Sequence, residues 1–100
     1  MPRNKLYRFD PQAWSELEAA DDWYRQRNPE ASVRFLAAVY DALETIAERP
    51  QRWPQYVHGT RRFVLHRFPF SIVYLDEPAE VSILAIAHSK RKPGYWKDRL

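Results

Sequence analysis

The residues best suited to chemistry lie in a basic, aromatic segment near the end of the chain. His88 closes an apolar run over residues 81–87, and the residues that follow it supply five cations and two flat rings: Lys90, Arg91, Lys92, Tyr95, Trp96, Lys97 and Arg99. Cations and aromatic rings at the rigid end of a strand are well suited to grip an anionic or protein partner. We therefore expect the functional surface to include this segment.

The histidines allow two interpretations of their chemistry. His88 lies close enough to Arg91 in sequence to act as a general acid or base in phosphodiester cleavage. A histidine that closes an apolar strand is more commonly a hydrogen-bonded strand end, and we favour that interpretation. His58 and His66 are isolated, with no carboxylate at metal-ligand spacing, so we expect no metal site. The glycines, two in number, form no phosphate-binding loop, and no cofactor is expected.

Composition indicates one small globular domain over residues 1–100. The chain has no cysteine, no signal-like apolar segment near its start and no run of the roughly 18 apolar residues that a membrane span needs. We expect a cytoplasmic protein that does not enter the membrane. Residues 51–100 carry nine Lys/Arg against four Asp/Glu, whereas residues 1–50 carry seven against nine. The basic half favours an acidic partner. Charge alone does not decide whether that partner is a nucleic acid or a protein.

The first half of the sequence predicts a strand and two helices that support this basic half. Residues 5–9 alternate polar and apolar, as in a half-buried strand. Asp10-Pro11 and Asn28-Pro29 are both typical helix starts. The first helix should bury Trp14, Leu17, Ala20 and Tyr24; the second, which should end at residue 48 or 49 before Pro50, should bury an apolar face built on Phe35, Leu36, Val39, Tyr40, Leu43, Ile46 and Ala47. So short a connection predicts an antiparallel helical hairpin.

The second half predicts the sheet. Residues 50–60 read as a loop held to the core by Trp53 and Tyr56, and strands are expected over 61–67, 70–75 and 80–88, joined by short turns. The fold class is therefore α+β: an N-terminal strand, a two-helix hairpin on one sheet face, a three-stranded antiparallel meander and a short C-terminal tail. The last strand is apolar at nearly every position, which indicates that both of its faces are covered, by the chain itself or by a partner.

Several short patterns, taken in order, resemble a known family. They are Ala31-x-x-x-Phe35-x-x-x-Val39-x-x-x-Leu43-x-x-Ile46-x-x-x-Pro50, an arginine at 62 opening a strand, Pro69-Phe70-x-Ile72-Val73-Tyr74, and Ile83-x-x-Ile86-Ala87-His88-x-x-Arg91. Together they resemble the RelE/ParE superfamily of type II toxin–antitoxin toxins, and the ending Pro93-x-Tyr95-Trp96-x-x-Arg99 is similar to members called plasmid-stabilisation proteins. The resemblance implies a toxin that a cognate antitoxin holds inactive, in a toxin–antitoxin hetero-oligomer.

Within that superfamily, the resemblance leaves the target and the question of enzymatic activity open. Ribosome-dependent mRNA endonucleases of the RelE type surround the scissile phosphate with strand cations and a C-terminal Arg and Tyr, so His88, Arg91 and Tyr95 would be the catalytic residues if this chain cut mRNA. Val64 and Ser71, however, stand where that branch carries cations, and their absence should cost orders of magnitude in rate. The likeness is therefore closer to the ParE branch, which poisons DNA gyrase. A third hypothesis for the function is a binding module that has lost its toxicity.

For a toxin that binds its target, we expect the contacts to come from the basic strand face and the tail. The candidate target-binding residues are Arg62, Arg67, Arg91, Trp96 and Arg99. Arg61 should be an ordinary surface charge, because adjacent residues of a strand point to opposite faces. Tyr95 and Trp96 could also fold back onto the core, where they would contribute packing rather than contact with the target.

Overall fold

The computed structural model describes residues 5–100 as a four-stranded sheet with two helices on one face. The elements are β1 (Leu6–Phe9), α1 (Pro11–Arg27), α2 (Pro29–Glu48), β2 (Arg61–Val64), β3 (Phe70–Asp76) and β4 (Glu80–His88). Single 3₁₀ turns lie between α2 and β2, at Pro50–Arg52 and Val57–Gly59, and after β4, at Lys97–Arg99. This order confirms the α+β class and the element types that the sequence predicts.

Both helix starts form as their sequences predict. The Asp10 carboxylate accepts a hydrogen bond from the backbone N–H of Gln12 at 2.8 Å, and the Asn28 side chain accepts one from Glu30 at 3.0 Å. Asn28 also ends α1, because its own N–H donates to the Tyr24 carbonyl at 2.7 Å. Asn28 therefore caps both the end of α1 and the start of α2. Because this one residue is the whole connection, the two helices form a tight hairpin.

The sheet has the order β1-β4-β3-β2. The three C-terminal strands form the expected antiparallel meander, while β1 runs parallel to β4 along residues 80–83. β2 is shorter than predicted and ends at Val64; the buried Leu65 that follows it still donates its N–H to the Phe70 carbonyl at 3.0 Å, and the chain then turns into β3. The long central strand β4 pairs with β3 along nearly its whole length, but with β1 only along its first half.

Each face of the sheet has its own core. Helix residues including Leu17, Phe35, Val39 and Leu43 pack with Ile72 and other residues of the near face. On the far face, Val73, Leu84 and Ala85 are covered by Trp96, with Tyr56 and Tyr95 at the margin. β4 is therefore apolar on both faces because the chain itself covers both: the helical hairpin lies on one side, and the loop and tail lie on the other.

The strand β4 carries one extra residue relative to β3. Val73 pairs with Ala85 but Tyr74 pairs with Ile83, so Leu84 has no cross-strand partner and forms a β-bulge. The bulge directs Leu84 and Ala85 to the same core under Trp96. The bulge also lies where β1 stops pairing with β4. From Leu84 onward, the backbone groups on that side of β4 therefore have no strand partner, and side chains pair with them instead.

The apolar face of α1 differs from the predicted one. Ala13 is buried in place of Trp14, whose side chain is 43% exposed and packs edge-on against Phe9 with ring centroids 5.4 Å apart. The small residues Ala13 and Ala20 let α1 approach the sheet closely, and Trp14, one position later, lies about 100° around the helix. Tyr40 of α2, also predicted to be buried, is 41% exposed. Neither helix is long and apolar enough to cross a lipid bilayer.

Candidate functional site

Arg62 lies on the sheet face that points away from the helices. Its cross-strand partner is Val73, which belongs to the core under Trp96, and cross-strand partners share a face. Arg61 pairs with Tyr74 on the helical side, and its guanidinium donates to the Trp53 carbonyl at 2.7 Å. The alternation predicted for the two arginines is therefore present, and Arg61 has a local structural partner.

Arg62 and Arg91 line one cleft of about 120 Å³ on this far face, together with Lys92. The Cζ atom of Arg62 lies 4.3 Å from the ring centroid of Tyr56, and that of Arg91 lies 3.8 Å from the ring centroid of Tyr95. Aromatic rings attract cations over their faces and hold them without neutralising their charge. No Asp or Glu lines this cleft within residues 5–100. The cleft is therefore cationic, and its two guanidinium groups stack on the rings of Tyr56 and Tyr95.

Next to Arg62 the same face is neutral. Val64 and Ser71 are direct cross-strand partners in β2 and β3, two residues along each strand from the Arg62–Val73 pair. The two positions at which the RelE-type pattern has cations thus lie side by side, and neither carries a charge. A phosphodiester placed here would meet Arg62 and Arg91 without the further cations that the RelE-type arrangement uses to stabilise a developing negative charge.

The His88 side chain belongs to the helical side of the sheet. Its cross-strand partner is Phe70, and the two rings meet edge to face with centroids 5.1 Å apart. His88 Nδ1 accepts a hydrogen bond from the Lys90 N–H at 3.1 Å, so the side chain caps the backbone where β4 ends. Residues 71 and 87, the next cross-strand pair, face the Arg62 side. The His88 ring therefore packs towards the helices, and the residue also borders the cleft that contains Arg62 and Arg91.

Tyr95 is half-buried, and a carboxylate from α1 holds its hydroxyl. Tyr95 Oη donates to Glu16 Oε2 at 2.5 Å. Burial, followed by the hydrogen bond to Glu16 and the charge of Glu16, raises the pKa of Tyr95 well above its ordinary value. The phenol therefore stays protonated at neutral pH and is a weaker proton donor than an exposed tyrosine.

The Glu16 carboxylate also receives three further hydrogen bonds. The backbone N–H of Ile86 donates to Oε1 at 3.0 Å, and the Arg99 guanidinium donates to Oε1 at 2.9 Å and to Oε2 at 3.0 Å. Arg99 donates in addition to the Leu84 carbonyl at 2.9 Å. The Leu84 and Ile86 groups lie on the edge of β4 beyond the reach of β1. Glu16 and Arg99 thus close this edge with side chains and tie the tail to α1.

A groove of about 400 Å³ runs between α1 and the ends of β3 and β4. Its lining is mainly apolar and includes Trp23, Tyr24, Phe70 and Ile86, while His88, Arg91 and Tyr95 lie at its other margin. Trp23 is 52% exposed, with the Arg27 guanidinium 4.0 Å from its ring centroid. Exposed apolar surface of this kind is typical of a place where a partner chain binds.

Comparison with known proteins assigns the chain to a family. The model of the ParE toxin of type II toxin–antitoxin systems, parDE, matches residues 7–93. The chain belongs to the ParE toxin family. A solved structure described as the chromosomal ParDE toxin–antitoxin system from P. aeruginosa superimposes with a TM-score of 0.74 at 22% identity, covering 84% of this chain and 95% of that one, and this likeness supports the fold. Among curated proteins, none matches the sequence significantly.

In this ParE-family chain, the five candidate target-binding residues separate into different surroundings. Arg62 and Arg91 share the cationic cleft. Trp96 is 1% exposed and fills the far core, and the Arg99 side chain is 9% exposed in its pair with Glu16. Arg67 lines a separate shallow cleft beside α2, with Asp41 and Thr45. The exposed cations that line the cleft are therefore Arg62, Arg91 and Lys92, whereas Trp96 and Arg99 are largely buried in contacts within the chain.

Sequence reasoning missed Glu16 and Tyr56 as parts of the site. Glu16 reads as one of several charges on the polar face of an amphipathic helix, and only its position above the edge of β4 distinguishes it from Glu18. Tyr56 was expected to anchor the loop, and it also supports the Arg62 guanidinium. Within the described residues, no cluster of three His, Asp or Glu side chains is arranged to hold a metal ion.

Proposed function

We propose that this ParE-family protein is the toxin of a type II toxin–antitoxin module that stops growth by capturing a protein target through the Arg62–Arg91 cleft, and that the target is DNA gyrase. Family membership supports the toxin role, and the cationic cleft supports an acidic binding partner. Arg62, Arg91 and Lys92 would supply the charge. The rings of Tyr56 and Tyr95 would hold the two guanidinium groups in place.

The observation that favours binding over RNA cleavage is the neutral Val64–Ser71 pair beside Arg62. Cleavage at a 2′-hydroxyl needs a base, an acid for the leaving oxygen and cations for the phosphate. On this face the cations are reduced in number, the Tyr95 hydroxyl is occupied by Glu16, and the His88 ring packs on Phe70 towards the helices. Binding a protein surface requires none of these catalytic groups.

The apolar groove beside α1 supports an antitoxin partner. A structure described as a ParDE toxin–antitoxin system shares this fold. We propose that a segment of the cognate antitoxin covers Trp23 and its neighbours and forms a hetero-oligomer with the toxin. Binding of this kind couples the folding of a flexible segment to the burial of apolar surface.

Expression in a bacterial host tests the toxin role. We expect growth to stop when the chain is produced alone and to resume when the protein encoded beside it is co-expressed. The amount of soluble, folded protein is measured in parallel by circular dichroism of the purified chain. Normal growth at a high level of folded protein would reject the toxin role and leave the decayed binding module as the function.

A second experiment separates the two toxic mechanisms. Purified toxin is added to a gyrase supercoiling assay, and mRNA from induced cells is mapped by primer extension. We expect supercoiling to be inhibited while mRNA stays intact on translating ribosomes. Codon-positioned cuts within minutes of induction, with gyrase unaffected, would reject gyrase capture in favour of mRNA cleavage and would make His88, Arg91 and Tyr95 the candidate catalytic residues.

A further inference from the structure

Arg91 owes its position to a residue on the first helix. Its backbone is fixed by a turn in which its N–H donates to the His88 carbonyl at 3.0 Å, but its side chain is exposed and has no ion pair among the described residues. The contact that orients the guanidinium is the Tyr95 ring, 3.8 Å away. An exposed arginine without such a contact samples many rotamers and loses that freedom on binding, which weakens the complex.

The Tyr95 ring is itself held in place by Glu16. The hydroxyl end of the ring is fixed by the 2.5 Å hydrogen bond to Glu16 Oε2, and the Arg99 guanidinium lies 5.3 Å from the same ring. Glu16 is in turn fixed by Ile86 and by Arg99, and its side chain is 19% exposed. A phenol that donates to a carboxylate also gains electron density, so its face attracts a cation more strongly. One carboxylate therefore fixes the ring and strengthens its attraction for Arg91.

We propose that Glu16 and Tyr95 are positioning residues of the target-binding surface: Glu16 fixes the Tyr95 ring, and the ring holds the Arg91 guanidinium ready for contact. This inference rests on the proposed function for the use made of Arg91. The link spans 75 residues of sequence, from α1 to the tail, and neither Glu16 nor the Tyr95 hydroxyl needs to touch the target. Loss of either group should therefore weaken binding without removing the charge that binds.

The direct test is the side-chain N–H signal of Arg91 in ¹H–¹⁵N spectra. A ring stacked on a guanidinium shields its protons, so the Arg91 Nε–Hε signal should lie upfield of the position expected for an arginine that has no ring contact. It is assigned as the signal that is missing from Arg91→Lys. We expect Tyr95→Leu to remove the shift, and Glu16→Gln and Tyr95→Phe each to reduce it. An unchanged signal in Glu16→Gln would overturn the proposal.

Potency against the target is measured on the same variants at equal concentrations of folded protein. Tyr95→Leu should lose on the order of tenfold, within the range that a cation–π contact supplies. Glu16→Gln and Tyr95→Phe should lose less, and the double variant should lose no more than either single one, because both act through one ring. Full potency in Tyr95→Leu, or additive losses in the double variant, would also overturn the proposal.

Asp21→Asn is the matched control for general destabilisation. Asp21 is another α1 carboxylate, 7% exposed, that pairs with Arg25 and with the Ser32 hydroxyl. This variant should lose stability while leaving the Arg91 signal and the potency of the folded protein unchanged; losses equal to those of Glu16→Gln would reject a positioning role. An inactive wild-type chain would end the proposed function, and the Arg91 signal alone would then decide whether Glu16 positions this side chain.

Discussion

Glu16 and Arg99, 83 residues apart in the sequence, form a two-point ion pair that closes the edge of the central strand. Their side chains are 19% and 9% exposed, and together they pair with the Ile86 N–H and the Leu84 carbonyl of β4. Along residues 80–83 of β4, the neighbouring strand β1 pairs with the backbone on this side. Here β1 is too short to do so, and the helix and tail supply side chains in its place.

The first prediction concerns the stability of this pair. Arg99→Gln should lower the free energy of unfolding by about 2–4 kcal/mol, because the Glu16 carboxylate would lose its cation in a mostly buried position. Urea denaturation measures the change. Arg34→Gln is the control, since its 3.9 Å pair with Glu30 is exposed and should contribute less than about 0.5 kcal/mol. Equal effects in the two variants would show that burial of the pair adds nothing.

The second prediction concerns Arg91 as a contact for the target. Arg91→Ala should abolish growth inhibition, and Arg91→Lys should reduce it severely, because lysine keeps the charge but loses the planar fork of donors. Both variants should keep the melting temperature within a few degrees, since Arg91 is exposed. Growth curves at matched protein levels and thermal melts provide the measurements.

Arg61→Ala is the control for that experiment. Arg61 lies on the helical side of β2 and donates to the Trp53 carbonyl, so its loss should reduce stability slightly while growth inhibition stays intact. Full toxicity in Arg91→Ala would place the active surface elsewhere. Unfolding of that variant would make Arg91 a structural residue.

The third prediction separates packing from contact at Trp96. Its side chain is 1% exposed between Val73, Leu84 and Ala85, so Trp96→Ala should cost about 3–5 kcal/mol by leaving a cavity. Trp96→Phe should cost less and remain toxic. A Trp96→Ala variant that keeps its urea midpoint but loses toxicity would identify Trp96 as a contact residue.

The fourth prediction is a loss of stability at high pH through Tyr74. This residue is fully buried and donates to the Pro50 carbonyl at 2.6 Å, and burial raises its pKa to about 12. An unfolded tyrosine ionises near pH 10, so the unfolded state loses its proton first and the folded state becomes less stable as the pH rises from about 10 to 12. The stabilisation is complete below pH 10.

Denaturation at several pH values tests this dependence. Between about pH 10 and 12, Tyr74 should account for a fall of about 2–3 kcal/mol in the free energy of unfolding. Tyr74→Phe has no ionisable group at this position, so its stability should fall by correspondingly less over the same range. Parallel pH profiles for the two proteins would contradict the assignment.

The local structure of this chain follows from short stretches of sequence. Asp10-Pro11 and Asn28-Pro29 start helices because a short side-chain acceptor followed by a proline satisfies the first free N–H groups and fixes the backbone angle of the first helical residue. The meander of β2, β3 and β4 follows from apolar segments joined by connections too short for any other arrangement. These features need only neighbouring residues, so the sequence reveals them directly.

The class of fold, the family resemblance and the basic character of the second half can all be predicted from the sequence. Only the folded chain shows that Glu16 meets Tyr95 and Arg99, that Trp96 is buried, and that Arg62 and Arg91 share a cleft to which Arg67 does not belong. Helix and strand signals can be predicted because they arise between residues a few positions apart. Contacts across 75 or more residues depend on how the β4 bulge, the short β1 and the path of the tail fit together.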